Sequence, residues 1–495
     1  MAARKANKPS RRSVRFVDTT LRDAHQSLWA TRMTTAMMLP VCERLNRIGY
    51  ACVDFMGLIH FDVCVRYLKE DPWERIRLVR ERITDVPLKS WLRSNSLIGF
   101  DVLPDDVNAL WVERLAANGI GIVCAFDALA DLDNIVPNLQ LARRLGVKTC
   151  GALVFCESPV HTDEFFAAKA KELVRQAGVD WIMIKDSGGL LGIDRVRTLV
   201  PAIRAAVGDT PIELHSHCLT GLAPLVYHEG VKLGVDIVDT SIAPLANGPA
   251  QPATQTMVAN LRTLGFDAAL DMEAIEEVGE HFRRVAEQEG KPLGVPMAYD
   301  AFHYEHQLPG GMLTNLKYQL ETAGLSDRFD EVLAECARIR RELAWPIMVT
   351  PFAQLVGTQA VFNVVNGERY KVVPDEVKKY VLGYYGKLLA AVDPEALDRI
   401  VSNGSARIAL RPAAPAPAVD ALRRKYPGAS DEERLLRFCF AGNQVDEMRA
   451  AGPLRTIYGF EQPLERLLRE LGRRKSWHYV RLEGRGVDVT LRSGS

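Results

Sequence analysis

The sequence has 495 residues with 62 basic and 62 acidic side chains, so its formal net charge is zero. That balance argues against binding of nucleic acid or of an anionic lipid surface. Hydrophobic residues make up 47% and charged residues 25%, which excludes a mainly disordered chain and predicts a large buried core. No apolar run reaches the roughly 18 residues that span a bilayer. The nine cysteines form no CxxC pair, so we expect reduced thiols and a cytoplasmic protein.

The basic start, residues 1–13, is predicted to be a disordered tail, with a mitochondrial address as the alternative. Short apolar runs without alternation then indicate strands that are buried on both faces. They lie at 14–20, 50–57, 88–95, 121–127, 148–156, 181–187, 211–217 and 236–243. Helix-compatible segments such as 71–83 and 162–178 separate them. Eight such units predict an α/β fold, a (β/α)8 TIM barrel over 14–264, with an open doubly wound sheet as the alternative.

The remainder of the chain is predicted to be mostly helical. A helical domain that completes the active site is expected over 265–410, with helices near 276–290, 329–343 and 375–389 and glycine-bearing loops at 307–316 and 349–361. The Pro/Ala-rich stretch 411–421 is typical of a linker. The C-terminal region, 422–495, is predicted to hold helices at 430–440 and 462–474 and a hairpin at 477–493.

Polar residues follow the predicted strands where a barrel carries its chemistry. His215 and His217 are two residues apart in strand seven, so both imidazoles point to the same side. Asp23 follows strand one, which is a neighbour in a closed barrel, and the three side chains predict a divalent-metal site. Lys185 ends strand six. It is interpreted as a partner of Asp23 or Asp186, as a phosphate ligand, or as a lysine that CO2 carbamylates to give a further metal ligand.

Long segments carry a family resemblance. FVDTTLRDAHQSLWATRM, WIMIKDSGGLL, LHSHCLTGLAP, QLPGGMLTNL and VTPFAQLVGTQAVFNVVNGERYKVVPDEVKKYVLGYYG are similar to segments of the carboxyltransferase subunits of biotin-dependent enzymes. The resemblance covers roughly 14–411. It includes the oxaloacetate decarboxylase α subunit, the transcarboxylase carboxyltransferase subunit and the carboxyltransferase domain of pyruvate carboxylase.

The resemblance implies a role for each matching residue. The metal, which is zinc, manganese or cobalt, would be held by Asp23, His215, His217 and carbamylated Lys185. Thr350 would shuttle a proton between biotin and the substrate enolate, and Arg22 and Gln26 would orient a 2-oxo acid. Arg93, at the end of strand three, is a further expected substrate contact, either to a single anionic oxygen or as a replacement clamp for the carboxylate of pyruvate.

The sequence departs from the family around the substrate. Cys124 stands where pyruvate-handling enzymes have an arginine that contacts the substrate carboxylate, and the loss of such a clamp can cost about 1.5–3 kcal/mol. Apolar or small residues occupy further pocket positions, namely Met56, Leu58, Ile59 and Ala130. Ser187 follows the IKD motif where the family has methionine. The reaction type is therefore expected to be kept, while the acceptor is either pyruvate or a less polar relative.

No AMKM-like biotinylation tetrapeptide occurs in the sequence. The resemblance then implies that a separate biotin carboxyl carrier protein holds the biotin, that a biotin carboxylase subunit loads it, and that the chain forms a homodimer or larger complex. Region 422–495 is the candidate docking region. Two other interpretations remain: a metal-dependent lyase or Claisen-type synthase of the hydroxymethylglutaryl-CoA lyase and homocitrate synthase type, and a catalytically silent scaffold.

Overall fold

The structure, a computed structural model, describes residues 12–322, 324–460, 478–484 and 487–492, together with positions 467, 470, 471 and 473. Eight parallel strands close into a barrel in sequence order, each hydrogen-bonded to its neighbours and β1 to β8. The strands are β1 Arg15–Asp18, β2 Cys52–Met56, β3 Leu88–Arg93, β4 Ile122–Phe126, β5 Lys148–Val154, β6 Trp181–Asp186, β7 Ile212–Ser216 and β8 Ile237–Thr240. The predicted TIM barrel is confirmed, and the open sheet is wrong.

Helices cover the outside of the barrel and then form the region that follows it. In the barrel they are α1 His25–Leu28, α2 Thr35–Leu45, α3 Leu58–Val63, α4 Pro72–Arg80, α5 Asp105–Ala117, α6 Val136–Arg144, α7 Asp163–Ala177, α8 Ile193–Val207, α9 Ala223–Leu233 and α10 Thr254–Thr263. Two π-helical turns, Thr20–Ala24 and Cys64–Leu68, and the 3-10 turn Leu132–Asn134 interrupt the connections.

The later helices are α11 Met272–Glu289, α12 His303–His306, α13 Gly310–Thr322, α14 Phe329–Glu342, α15 Phe352–Asn366, α16 Asp375–Val381, α17 Pro394–Asn403, α18 Val419–Lys425, α19 Asp431–Cys439 and α20 Gly442–Ala450, with a 3-10 turn at Ser326–Arg328. The terminal hairpin pairs β9 Tyr479–Gly484 with β10 Val487–Arg492. Most of the helix predicted at 462–474 lies outside the described residues. None of the described helices is long and apolar enough to cross a membrane.

The two glycine-bearing segments predicted as loops are helical. Helix α13 begins at Gly310, where an added Cβ would lie 2.6 Å from Leu219 Cδ2, and Gly357 lies inside α15 with Met312 Cε as the nearest atom to its would-be Cβ, at 3.8 Å. Gly310 therefore permits a close approach to Leu219, whereas the site of Gly357 has room for a Cβ atom. The helix predicted over 375–389 ends at Val381, because Gly383 and Gly386 adopt positive φ angles of 78° and 130°.

Three predicted boundaries shift. Arg12, assigned to the tail, donates to the carbonyls of Val231 and Val235 and pairs with Asp236, so the folded part includes it. Helix α11, assigned to the region after the barrel, packs on α2 as part of the outer helical layer. Helix α18 begins inside the predicted linker, because Asp106 accepts hydrogen bonds from the backbone N–H groups of residues 418 and 419.

All nine cysteines are free thiols, as expected, and eight of them are buried.

Candidate active site

The three predicted metal ligands meet at the carboxyl end of the barrel. One ligand atom each from Asp23, His215 and His217 lies within 4.8 Å of the other two, and all three side chains are buried. The Oδ2 atom of Asp23 is 3.0 Å from His215 Nε2 and 3.2 Å from His217 Nε2. The π-helical turn after β1 carries Asp23, and β7 carries His215 with His217 just beyond its last residue.

The opposite ring nitrogens of the two histidines are already engaged. His215 Nδ1 lies 2.7 Å from Asp239 Oδ2, and His217 Nδ1 lies 2.5 Å from the carbonyl oxygen of Pro249. Both partners are acceptors, so each Nδ1 donates to its partner and each Nε2 faces the centre that it shares with Asp23. Two imidazoles and one carboxylate that point at a common centre form a donor set that suits a divalent cation.

The charges of the site follow from its burial. Burial alone would raise the pKa of Asp23, but the guanidinium of Arg22 and the imidazole of His217 hold it well below its usual range. Burial, together with the nearby Lys185, lowers the pKa of His215 to about 3, so this imidazole is neutral near pH 7. Gln251 Nε2 adds a hydrogen bond of 3.0 Å to Asp23 Oδ2.

Arg22 lies beside this cluster and is held by two carboxylates. Its Nη2 atom is 2.7 Å from Asp54 Oδ2 and 3.2 Å from Asp23 Oδ2, and its Nε donates to Asp54 at 2.8 Å. The guanidinium is 4.9 Å from the ring centroid of Trp91. A fixed positive charge in a buried site can stabilise a developing oxyanion.

Lys185 is the cross-strand Cα partner of His215 and is buried. Its Nζ donates to Ser187 Oγ at 2.7 Å and lies 5.1 Å from the ring centroid of Trp91. Burial lowers the pKa of Lys185, and the carboxylate of Asp23 opposes that shift. Ser187, noted in the sequence as a departure from the family, is thus the neutral group that holds this amine.

Arg93, a predicted substrate residue, makes its hydrogen bonds to the loop after β3. Arg93 ends β3, but its Nη2 donates to the carbonyls of Leu97 and Gly99, at 2.7 and 2.6 Å, and its Nε donates to Ser96. Burial lowers its pKa to about 10. The guanidinium of Arg93 therefore organises the loop after β3.

The remaining predicted residues lie around the cluster or in the later helices. Gln26 is half-buried on α1, one helical turn beyond Asp23. Cys124 is fully buried on β4. Thr350 lies just before α15, where its Oγ accepts a hydrogen bond of 2.9 Å from Gln354. Ile59 is 42% exposed, unlike its buried neighbours Met56 and Leu58, so it contributes less to an enclosed pocket than expected.

Sequence reasoning missed a set of buried polar residues inside the barrel. Lys89 Nζ lies 2.6 Å from Glu213 Oε1 and 4.0 Å from Asp239 Oδ2, and all three side chains are fully buried. Asp54 and Trp91 form a second group that supports Arg22. A charged residue in a strand that is otherwise buried on both faces is the signal that could have found Asp54, Lys89 and Glu213.

Family comparisons agree with this geometry. A model described as the conserved carboxylase domain matches residues 304–446, and an HMGL-like model matches residues 124–281. A pyruvate carboxylase subunit of Methanocaldococcus jannaschii is 42% identical over 402 residues, which is 81% of this chain and 70% of that protein. The chain belongs to the carboxyltransferase family of biotin-dependent enzymes.

Other carboxyltransferases are also similar to this chain in sequence and structure. The methylmalonyl-CoA carboxyltransferase 5S subunit of Propionibacterium freudenreichii subsp. shermanii is 35% identical over 415 residues, which is 83% of this chain and 82% of that protein. The carboxyl transferase domain of Rhizobium etli pyruvate carboxylase, solved with pyruvate and biocytin, superposes with a TM-score of 0.82 at 28% identity, over 89% of this chain and 78% of that one. These matches extend beyond the barrel, which the lyase and synthase alternative does not account for.

Proposed function

We propose that the chain moves a carboxyl group between carboxybiotin, carried by a separate biotin carboxyl carrier protein, and an enolisable acceptor. The acceptor is a 2-oxo acid such as pyruvate or oxaloacetate, or a less polar relative. The observation that carries this proposal is the buried cluster of Asp23, His215 and His217 with Arg22 beside it. A cluster of this kind suits chemistry that develops negative charge on a carbonyl oxygen.

A divalent ion fits the cluster because its three donors converge and both histidines are oriented by their Nδ1 partners. Zinc, manganese and cobalt all accept this mixture of nitrogen and oxygen ligands. The ion would polarise the acceptor carbonyl. Lys185, carbamylated by CO2, would supply a fourth ligand. Its position beside His215 and its neutral partner Ser187 support that role.

Arg22 would meet the oxygen of the acceptor that becomes negative when the enolate forms. Two carboxylates hold its guanidinium in place, so little reorganisation is needed when that charge develops. Gln26, one turn further along, would orient the acceptor together with Arg22.

Thr350 would move the proton. In transfer to the acceptor, the N–C bond of carboxybiotin breaks and a C–C bond forms at the enolate carbon. The proton lost from that carbon passes through the Thr350 hydroxyl to the biotin nitrogen. Gln354 donates to Thr350 Oγ, which leaves the hydroxyl proton free to be given to another acceptor.

The composition of the pocket favours an acceptor that is less polar than pyruvate. Cys124 offers a thiol where a carboxylate clamp would need a guanidinium, and Met56 and Leu58 are buried and apolar. Arg93 is engaged by loop carbonyls, which argues against its having replaced that clamp. Pyruvate remains the alternative acceptor, because relatives and the solved neighbour are named for it.

The proposal includes partners and a compartment. A biotin carboxylase subunit would load the carrier, and the chain would act as a homodimer or in a larger complex. Both the Methanocaldococcus and the Propionibacterium relative are named as subunits, which supports a multi-subunit enzyme. Free cysteines throughout the chain support a cytoplasmic location.

A panel assay tests the proposal. The purified chain is incubated with carboxybiotinylated carrier and, one at a time, pyruvate, 2-oxoglutarate, a ketone and an acyl thioester. Carboxylated product with at least one of them is expected. Efficient turnover with pyruvate alone would show that the substituted pocket still serves pyruvate, and no product with any acceptor would contradict the function.

A further inference from the structure

Trp91 lies at the centre of the site, but the proposed function gives it no role. Its side chain on β3 is 4% exposed and is surrounded by residues that the reaction would use. We infer that Trp91 is a positioning residue. Its hydrogen bond to Asp54 fixes the orientation of Arg22, and its ring lies beside Lys185, so that the acceptor meets both side chains in a fixed arrangement. This inference rests on the proposed function and names a residue that determines how the acceptor binds.

A chain of hydrogen bonds connects the indole to Arg22. Trp91 Nε1 donates to Asp54 Oδ1 at 2.8 Å, while Asp54 Oδ2 accepts from Arg22 Nε at the same distance. Asp54 is fully buried, so these donors replace water around its carboxylate. The indole N–H donates along one direction and so fixes the plane of the Asp54 carboxylate. This carboxylate in turn fixes the plane of the Arg22 guanidinium, which faces Asp23.

The face of the indole supports the same arrangement. The guanidinium of Arg22 lies 4.9 Å from the ring centroid, within the range of cation–π attraction, and Lys185 Nζ lies 5.1 Å from the same centroid. One rigid ring therefore lies beside both side chains. The rings of Trp91 and His215 also form a T-shaped pair, with 6.3 Å between their centroids.

The neighbouring strand leaves room for this large side chain. Cys124 on β4 is the cross-strand Cα partner of Trp91, and both side chains are buried. Paired residues of parallel strands project to the same side of the sheet, so the small thiol accommodates the indole. An arginine placed at 124 would have to displace the ring before it could reach the site.

A residue that merely fills space would behave differently from a positioning residue. Trp91→Phe keeps an aromatic ring and removes the N–H group, whereas Trp91→Leu removes both. Asp54→Asn keeps the shape of the side chain but replaces the carboxylate with a neutral amide, which binds the guanidinium of Arg22 less strongly. Trp111→Phe is the matched control, because Trp111 is fully buried on α5 and its indole nitrogen has no hydrogen-bond partner in the described part of the chain.

The experiment measures, on the full-length metal-loaded protein, the KM and kcat for the best acceptor of the panel and the Kd for oxalate by calorimetry. Oxalate is a planar dianion that resembles a 2-oxo acid enolate. Trp91→Phe and Asp54→Asn are expected to raise both KM and Kd at least tenfold, with kcat lowered less than threefold and the metal content unchanged. Trp91→Leu should be worse than Trp91→Phe, and Trp111→Phe should match the wild type.

An oxalate Kd within threefold of the wild type in Trp91→Phe would overturn the positioning role, and so would equal losses in Trp91→Phe and Trp111→Phe. The two proposals fail separately. If the wild type transfers no carboxyl group, the proposed function is wrong, while the oxalate titration still decides whether Trp91 organises an anion site.

Discussion

Each histidine of the cluster is held at Nδ1, which points its Nε2 atom toward Asp23. We therefore expect about one divalent ion per chain in the purified protein. His217→Ala removes one donor and should reduce metal retention on dialysis and abolish activity. His228→Ala, a half-buried histidine on α9, should retain the ion. Elemental analysis of both variants measures the bound metal. Unchanged metal content in His217→Ala would show that the ion lies elsewhere.

Thr350 gives a second prediction at the level of a single hydroxyl group. Because it accepts from Gln354 and keeps its own proton, Thr350→Ser should retain most of the transfer activity. Thr350→Ala should lower kcat by about 10²–10⁴, the range typical of a lost general acid or base. Metal content and thermal unfolding should match the wild type in both variants. An alanine variant as active as the serine variant would exclude a proton relay at this residue.

Strands β3 and β7 are connected inside the barrel by the buried ion pair Lys89–Glu213. Lys89→Met should destabilise the protein by about 3–5 kcal/mol, because it leaves a buried carboxylate without its partner. Adding Glu213→Leu should recover part of that loss, since the carboxylate closest to the removed ammonium is then gone, while Asp239 keeps its hydrogen bond to His215. Denaturant unfolding of the two variants tests this. A double variant less stable than the single one would contradict it.

At Gly279 in helix α11, helix propensity and packing predict opposite effects of an alanine substitution on stability. Alanine is favoured over glycine in a helix by about 1 kcal/mol. An added Cβ at Gly279, however, would lie 2.5 Å from the backbone oxygen of Ala243. Gly279→Ala should therefore lower the unfolding temperature, whereas Gly442→Ala in α20, with no atom within 4 Å, should not. If both variants are stabilised, the contact between α11 and the loop after β8 is looser than described.

The strands were predictable because each is a short apolar run that is buried on both faces, and His215 with His217 followed from the two-residue repeat of a strand. The glycine segments were mispredicted, because a glycine at the start of a helix or inside one looks the same in sequence as a glycine needed for a turn. The roles of Trp91 and Asp54 depend on contacts between β2, β3 and the turn after β1. No local pattern encodes such contacts.

At the scale of the whole molecule, the chain after residue 418 returns to the barrel. Helix α19 packs on α5, Lys69 pairs with Glu447, and Tyr458 donates to Glu289 on α11. The part of the candidate docking region up to residue 460 therefore lies largely against the barrel. We predict that carrier docking depends on residues beyond 460.

A chain truncated after Phe460 should keep its metal content and unfolding temperature but lose co-purification with the biotinylated carrier. Pull-down of the carrier by the full-length and truncated chains measures this. Equal recovery of the carrier by both chains would place docking on the barrel or on the helices that follow it.

Transfer of labelled carboxyl tests the central claim most directly. Carrier loaded with ¹⁴C-carboxybiotin is mixed with the full-length chain and the best acceptor of the panel, and acid-stable label in the product is counted. The account predicts label in the product with the wild type and none above background with Asp23→Asn, which removes the carboxylate shared by His215, His217 and Arg22. Equal label with both proteins, or none with the wild type, would contradict it.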